Sequence, residues 1–356
     1  MRTSITTLAL TLGALASAHP AHKDNSTFRL VYDDFSSGFD VGLPGSSSKW
    51  VYYADTTGQF VGNDGIETVG PEGLTVVSKG VNNVTGKPAF THTAPPDRPD
   101  SDNLEHVKYM AFPNVQSSHG YPGWDVAKGH IFSCEGHFGA EMYGIDDGPF
   151  QEYVPWNNYA AFGSGSFVFG DFEAGWIFHL VLSNDRYYAA YERLAFSPDH
   201  EYASFTYLIP IAKREACNIA RLRVEYDRDA QEVAWFIDGR EKLRLGGLGW
   251  YKDEFKDWLA MDRGGKEEDK GDLNQLQCGF ALISTLDAFL HKGKGKGKAF
   301  VRMNQTPGYC RDPRTHGPDI EFIDQISTPQ NQIWGQGGKM TLRELIVESR
   351  PKRRHH

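Results

Sequence analysis

WIFHLVLS (176–183), YYAAYERL (187–194), ARLRVEY (220–226) and EVAWFIDGREKLRL (232–245) form one block of the chain. Each run has the length and the β-branched or aromatic content of a strand, and the last two join through Asp227-Arg-Asp-Ala-Gln231. Their alternation of apolar and polar side chains is that of an antiparallel sheet with one face buried. The block predicts four consecutive strands of an all-β sandwich, so chemistry has to be sought in residues that line a sheet face or its mouth.

Working outward, strand-like runs recur at 28–32, 50–53, 74–78, 130–134, 138–142, 279–284, 300–302 and 340–347. Turn signals such as Asn63-Asp-Gly65, Pro71-Glu-Gly73 and Asp238-Gly239 separate them, and helical periodicity is nearly absent. Three long inserts interrupt the pattern: 87–125, rich in Pro, His and Asp; 252–274, charged, with a short helix expected around Trp258; and 290–317. No Pro/Ser-rich linker or internal repeat divides the chain, so residues 19–349 are expected to be one β-sandwich domain, followed by a basic tail at 350–356.

Residues 1–18 read as a secretory signal: Arg2, an apolar run from Leu8 to Ala16, and small residues ending at Ala18. That run is too short to anchor in a bilayer, and no later one is longer. The expected product is secreted and monomeric, with Asn25, Asn83 and Asn304 as candidate N-glycosylation sites. In an oxidising compartment Cys134, Cys217, Cys278 and Cys310 can form up to two disulfides, in three possible connectivities; a buried thiol is the alternative for Cys134 and Cys278. A formal net charge of −9 argues against nucleic acid as a partner. The Lys-Gly run from His291 to Lys298 reads as a solvated loop, or as an attachment point for an acidic polysaccharide or surface.

The motifs Tyr32-Asp-Asp-Phe35, Gly73-Leu-Thr-Val-Val-Ser78 and Val233-Ala-Trp-Phe-Ile-Asp-Gly239 resemble those of concanavalin A-like lectins and glucanases. More narrowly, Asn184–Arg193, the Trp235 hairpin and Ile333-Trp-Gly-Gln-Gly-Gly338 are similar to a group of secreted fungal and bacterial proteins classed as a domain of unknown function. The resemblance implies a jelly roll and supplies no substrate. Retaining glucanases of the superfamily carry Glu-x-Asp-x-x-Glu on a central strand. This chain has no such sequence; the nearest, Asp319-Ile-Glu-Phe-Ile-Asp324, has the residue types interchanged and lies late in the chain.

Two groups of residues could carry chemistry. In Phe132–Tyr143, alternation puts Glu135, His137 and Glu141 on one face, an arrangement suited to acid/base transfer or to a plain solvent-facing strand. In the central block His179 interrupts an apolar run, while Tyr188 and Glu192 share a parity opposite to Tyr187, Tyr191 and Arg193. Glu135, His137, Glu141 and Glu192 are the candidate catalytic residues, and His179, Tyr188, Trp124 and Trp156 the candidate substrate-binding ones. Trp124, Trp156 and Trp250 sit beside loop-forming residues and are expected to be exposed; Trp176 and Trp235 are expected in the core. Asp146, Asp147 and Asp262 could offer oxygen to calcium, but no spaced ligand loop appears, and no cofactor or metal is expected. Three functions remain open: action on or binding of carbohydrate through a cleft formed by both groups; a cyclase or isomerase of small-molecule secondary metabolism that holds an apolar or aromatic metabolite; and a non-catalytic surface protein. An open groove lined by aromatic rings would favour the first, and an apolar cavity with one or two polar groups the second.

Overall fold

The computed structural model describes residues 26–54, 60–91, 106–153, 159–195, 200–303, 309–317, 319–326 and 328–352. The expected leader, Asn25, Trp156, Asn304 and the last four residues lie outside that set. Two antiparallel sheets face each other across the main apolar core, an all-β sandwich as the strand pattern requires.

The back sheet has the order Arg240–Leu245, Glu232–Ile237, Ala220–Asp227, His130–Tyr143, Gly337–Pro351, Gly73–Ser78, Gly65–Gly70, with Phe28–Asp33 also paired to Gly337–Pro351. The front sheet runs Leu259–Gly264, Ser204–Lys213, Arg186–Arg193, Trp176–Ile177, Ser164–Asp171, Gln275–Ile283, Val107–Pro113, Trp50–Tyr52 and Val41–Gly42. Leu180–Leu182 continues Trp176–Ile177 between the same two neighbours.

The central block is therefore shared between layers. WIFHLVLS and YYAAYERL belong to the front sheet, and ARLRVEY and EVAWFIDGREKLRL to the back. They are not consecutive, because Ser204–Lys213 lies between them as a front-sheet strand. WIFHLVLS is broken at Phe178-His179, although the Phe178 N–H still donates to the Phe169 carbonyl at 2.7 Å and the Ala190 N–H to the His179 carbonyl at 2.9 Å. EVAWFIDGREKLRL folds back at Asp238-Gly239, both at positive φ, into two strands.

Strands also run through all three expected inserts, the last of which holds Lys298–Val301. Val107–Pro113 is buried along its whole length, and Leu259–Gly264 follows the short 3-10 helix Asp253–Trp258 to form one end of the front sheet. Ser164–Asp171 carries no strong strand signal, yet all eight residues are buried. Its small residues answer to close packing: a Cβ on Gly165 would meet the Ala140 Cβ of the back sheet at 2.3 Å.

The core places Trp176 and Trp235 fully inside, as expected. Trp176 stacks on Phe178 and Tyr191 with centroids 5.6 and 5.3 Å apart, and the Trp235 indole donates to the Phe178 carbonyl at 3.2 Å, tying the two layers together. Trp124 is a correction: it is buried, edge-on to Tyr32 and against Phe132, because its short strand Trp124–Asp125 pairs with Gln275–Ile283 and turns the indole inward. Trp250 is exposed as expected.

One disulfide forms. Cys134 of the back sheet bonds Cys278 of the front sheet. Cys217 is an exposed free thiol and Cys310 lies in a separate buried cluster, so the second disulfide allowed by the cysteine count does not join these two. Because Cys134–Cys278 spans 144 residues of sequence, it restricts the unfolded chain strongly. Replacing both cysteines by alanine should lower stability by about 2–5 kcal/mol, measured by guanidinium unfolding of the oxidised wild type against the double variant.

Candidate functional site

The two expected groups stand on opposite outer faces of the sandwich and do not share a cleft. In His130–Tyr143 the even positions Phe132, Cys134, Phe138, Ala140 and Met142 enter the core, so Glu135, His137 and Glu141 point away from the front sheet. There they pair with their neighbours. Glu135 accepts from Arg221 at 2.7 Å, His137 meets Glu344 at 3.2 Å, and Glu141 accepts from the Tyr143 hydroxyl and the Cys217 thiol, each at 2.9 Å. Arg223, Glu225 and Arg350 extend the ladder across the sheet. Mutual pairing of this kind satisfies the charges within the sheet.

His179, Tyr188 and Glu192 do lie together, on the outer face of the front sheet. Register explains it. Glu192 sits opposite Thr206 on one side and Ile177 on the other, and the His179 carbonyl binds the Ala190 amide, so His179 and Glu192 are diagonal neighbours on one face, about 7–8 Å apart. A pocket opens over them. Its walls are mostly apolar, with Met110, Phe112, Val168, Ile177, Val181 and Leu208 among them. Tyr188 is buried beside this pocket against Val181 and Ala190, and burial pushes its phenol up to about 12.

Polar groups at and beneath the pocket floor form three sets. Thr206 Oγ1 lies 2.6 Å from Glu192 Oε1 and 3.3 Å from Arg263 Nη1. A guanidinium only donates, so the threonine oxygen accepts from it and its own proton goes to Glu192. Glu192 Oε1 is committed, while Oε2 has no partner among the described residues. Arg263, itself buried, also donates to the Tyr309 hydroxyl at 2.7 Å. On the far side of the same arginine, Asp287 lies 2.7 Å from His106 Nε2, and His106 lines the pocket. Burial alone would push the Asp287 carboxyl up, but the His106 ring and the Arg263 guanidinium outweigh it and hold the group below the usual carboxylate range.

His179 forms the third set with Ser166 of the adjacent strand, its Nδ1 2.6 Å from the hydroxyl oxygen. Its Nε2 is shut off from solvent with no hydrogen-bond partner. Burial lowers the imidazole from 6.5 to about 3, so the ring is neutral at physiological pH.

Thr206, Arg263, His106, Asp287 and Ser166 were not legible as site residues. Thr206 and Arg263 share a face with Glu192 only through the pairing of three strands, and His106 meets Asp287 across 181 residues of sequence. Among the described residues no cluster of His, Cys, Asp or Glu suits a metal ion, and the Asp262 carboxylate is taken by Tyr251 and His316. The Lys-Gly run meets its own chain, through Lys294 with Glu152, Lys298 with Glu321 and Lys292 over Trp258.

Residues 32–351 match the Family of unknown function (DUF6081). The chain belongs to that family. No curated protein matches it. Similar solved structures include an endo-acting O-glycanase expressed by members of the human gut microbiota, at 10% identity and TM-score 0.39 over 92% of this chain and 99% of that one. A family 7 alginate lyase A1-II′ in complex with substrate has 7% identity and TM-score 0.37, over 81% of this chain and 83% of that one. The Crh5 transglycosylase in complex with NAG has 11% identity and TM-score 0.38, over 93% and 88%. These neighbours are carbohydrate-active by name. At such identities and scores the likeness assigns no substrate to this chain.

The His179 environment sets an acid response. Above about pH 6.5 the imidazole is neutral whether folded or not; below it the unfolded chain takes up a proton that the folded ring refuses until about pH 3. Stability should therefore fall with acid through that window, by up to about 1.4 kcal/mol per pH unit from this group. In His179→Gln the contribution disappears, so the difference in urea midpoint between variant and wild type should move in favour of the variant from pH 7 to pH 4.5.

Proposed function

We propose that the protein binds an apolar small molecule in the front-sheet pocket and acts on it by acid/base chemistry through Glu192, with His179 beside it. The observation that carries this reading is the composition of the pocket: aliphatic and aromatic walls enclose a floor where one carboxylate oxygen and one imidazole nitrogen remain without partners. Apolar lining drives the binding of an apolar ligand, and a few convergent polar groups orient it. Such a site suits a cyclase or isomerase better than a polysaccharide enzyme. The pocket's aromatic residues, Tyr53, Phe112 and Phe172, pack on one another edge to face rather than forming a flat platform for a sugar ring.

A secreted location accords with this reading. The apolar run at 1–18, expected to act as a leader, and the intersheet disulfide both support an oxidising, extracytoplasmic setting. Among the described residues no helix is long and apolar enough to cross a membrane.

The test is a thermal-shift screen of the full-length protein against two panels, one of apolar ketones, terpenoids and polycyclic aromatics, the other of alginate, mucin-type and β-glucan oligosaccharides. Ala190, buried between His179 and Glu192 on the pocket floor, supplies the control. Members of the apolar panel should raise the unfolding temperature, with about 2.7 kcal/mol gained at a hundredfold excess over Kd. Ala190→Phe should abolish that shift while leaving the unliganded midpoint within a few degrees of the wild type. Stabilisation by oligosaccharides alone, untouched by Ala190→Phe, would overturn the proposal in favour of carbohydrate.

A further inference from the structure

The hydrogen bonding of His179 identifies what the ligand must offer. A neutral imidazole carries one proton, on Nδ1 or on Nε2. Among the described residues the Ser166 hydroxyl has no hydrogen-bond partner except His179 Nδ1, 2.6 Å away. With the proton on Nδ1, the imidazole would donate to the serine oxygen, and both the hydroxyl proton and the Nε2 lone pair would be left unused in a buried site. With the proton on Nε2, Ser166 donates to Nδ1, and the serine lone pairs and the Nε2–H are left over. Each tautomer thus leaves one part of the hydroxyl and one ring position unused, and the Nε2-protonated form is the intrinsically favoured tautomer of a neutral histidine side chain. Nε2 is thus a donor on a residue that lines the pocket, closed off while the pocket is empty, and an acceptor oxygen on the ligand meets it once the side chains around the ring move aside.

Glu192 stands diagonally across from it and is the complementary group. Its Oε1 is fixed by Thr206, and Oε2 is available to accept a proton. An uncharged donor and a carboxylate base on one apolar floor match the two ends of a carbonyl and its adjacent C–H bond.

Building on the acid/base reading above, we propose that the substrate is an apolar carbonyl compound with an acidic C–H α to the carbonyl. Its oxygen sits on the His179 Nε2–H and its α-carbon beside Glu192 Oε2. Glu192 removes the α-proton; the C–H electron pair forms the C=C bond of an enolate while the carbonyl π pair moves to oxygen, where the Nε2–H bond holds it. The proton on Glu192 then returns to carbon. Return to the α-carbon restores the substrate, with exchange of that hydrogen, and return to the γ-carbon of a conjugated enolate shifts the double bond. No external co-reactant is consumed.

The probe pair is 2-tetralone, an enolisable apolar ketone, and tetralin, the corresponding hydrocarbon, titrated into full-length protein by calorimetry. The ketone should bind at least about tenfold tighter. His179→Phe should remove the preference for the ketone, bringing its affinity to that of tetralin measured on the same variant. Glu192→Gln should keep both affinities and reduce protein-dependent deuteration of the ketone α-carbon in D₂O by about 100-fold or more. Nitrogen-15 NMR of the wild type, which requires no variant to fold, should show His179 protonated on Nε2 at pH 7 and unchanged at pH 5. A proton on Nδ1, equal affinity for the two probes, or no protein-dependent deuteration would overturn this inference while leaving the apolar-pocket reading intact. Failure of both probes and of the whole apolar panel would overturn that reading as well.

Discussion

The front sheet is buried on both faces, and the rest of the structure follows from that constraint. Its inner face packs on the core and its outer face floors a pocket, so strands such as Ser164–Asp171 have no exposed residue at all. A polar side chain on a sheet of this kind has to find a partner within the protein or wait for one from outside. Ser166 finds His179, Thr206 joins Glu192 to Arg263, and Asp287 holds His106. What the pairing leaves over, Nε2 of His179 and Oε2 of Glu192, is the chemical content of the site.

The back sheet shows the opposite solution. Its outer face carries Glu135, His137 and Glu141 in a row; neighbouring strands supply Arg221 to Glu135 and Glu344 to His137, and Tyr143 and the Cys217 thiol donate to Glu141. Glu135, buried beside Arg221 and Arg223, already has its charge matched within the protein. Glu192 occupies the contrary setting, an apolar floor where a small number of polar atoms decides the orientation of whatever enters.

Two close contacts keep the layers in register. Gly165 of Ser164–Asp171 meets Ala140 across the layers, and Cys134–Cys278 ties the strand of Ala140, His130–Tyr143, to Gln275–Ile283 of the front sheet. Together with the Trp176–Tyr191 stack they position the front sheet, and with it the spacing of His179, Glu192 and Thr206.

By itself the sequence determined the all-β class, the core placement of Trp176 and Trp235, and the shared parity of Tyr188 with Glu192 and of Glu135 with Glu141, because side-chain alternation along a strand is a local property with a period of two. It did not show that Glu135 and Glu192 face away from each other, that Trp124 turns inward, or that the Gly- and Ser-rich run at 164–171 is a central strand. Those outcomes depend on which strand joins which sheet and on how closely the layers pack, both set by contacts between residues far apart in the chain. The pocket belongs to the same class: Thr206, Arg263, His106 and Asp287 become neighbours of Glu192 and His179 only when six separate segments come together.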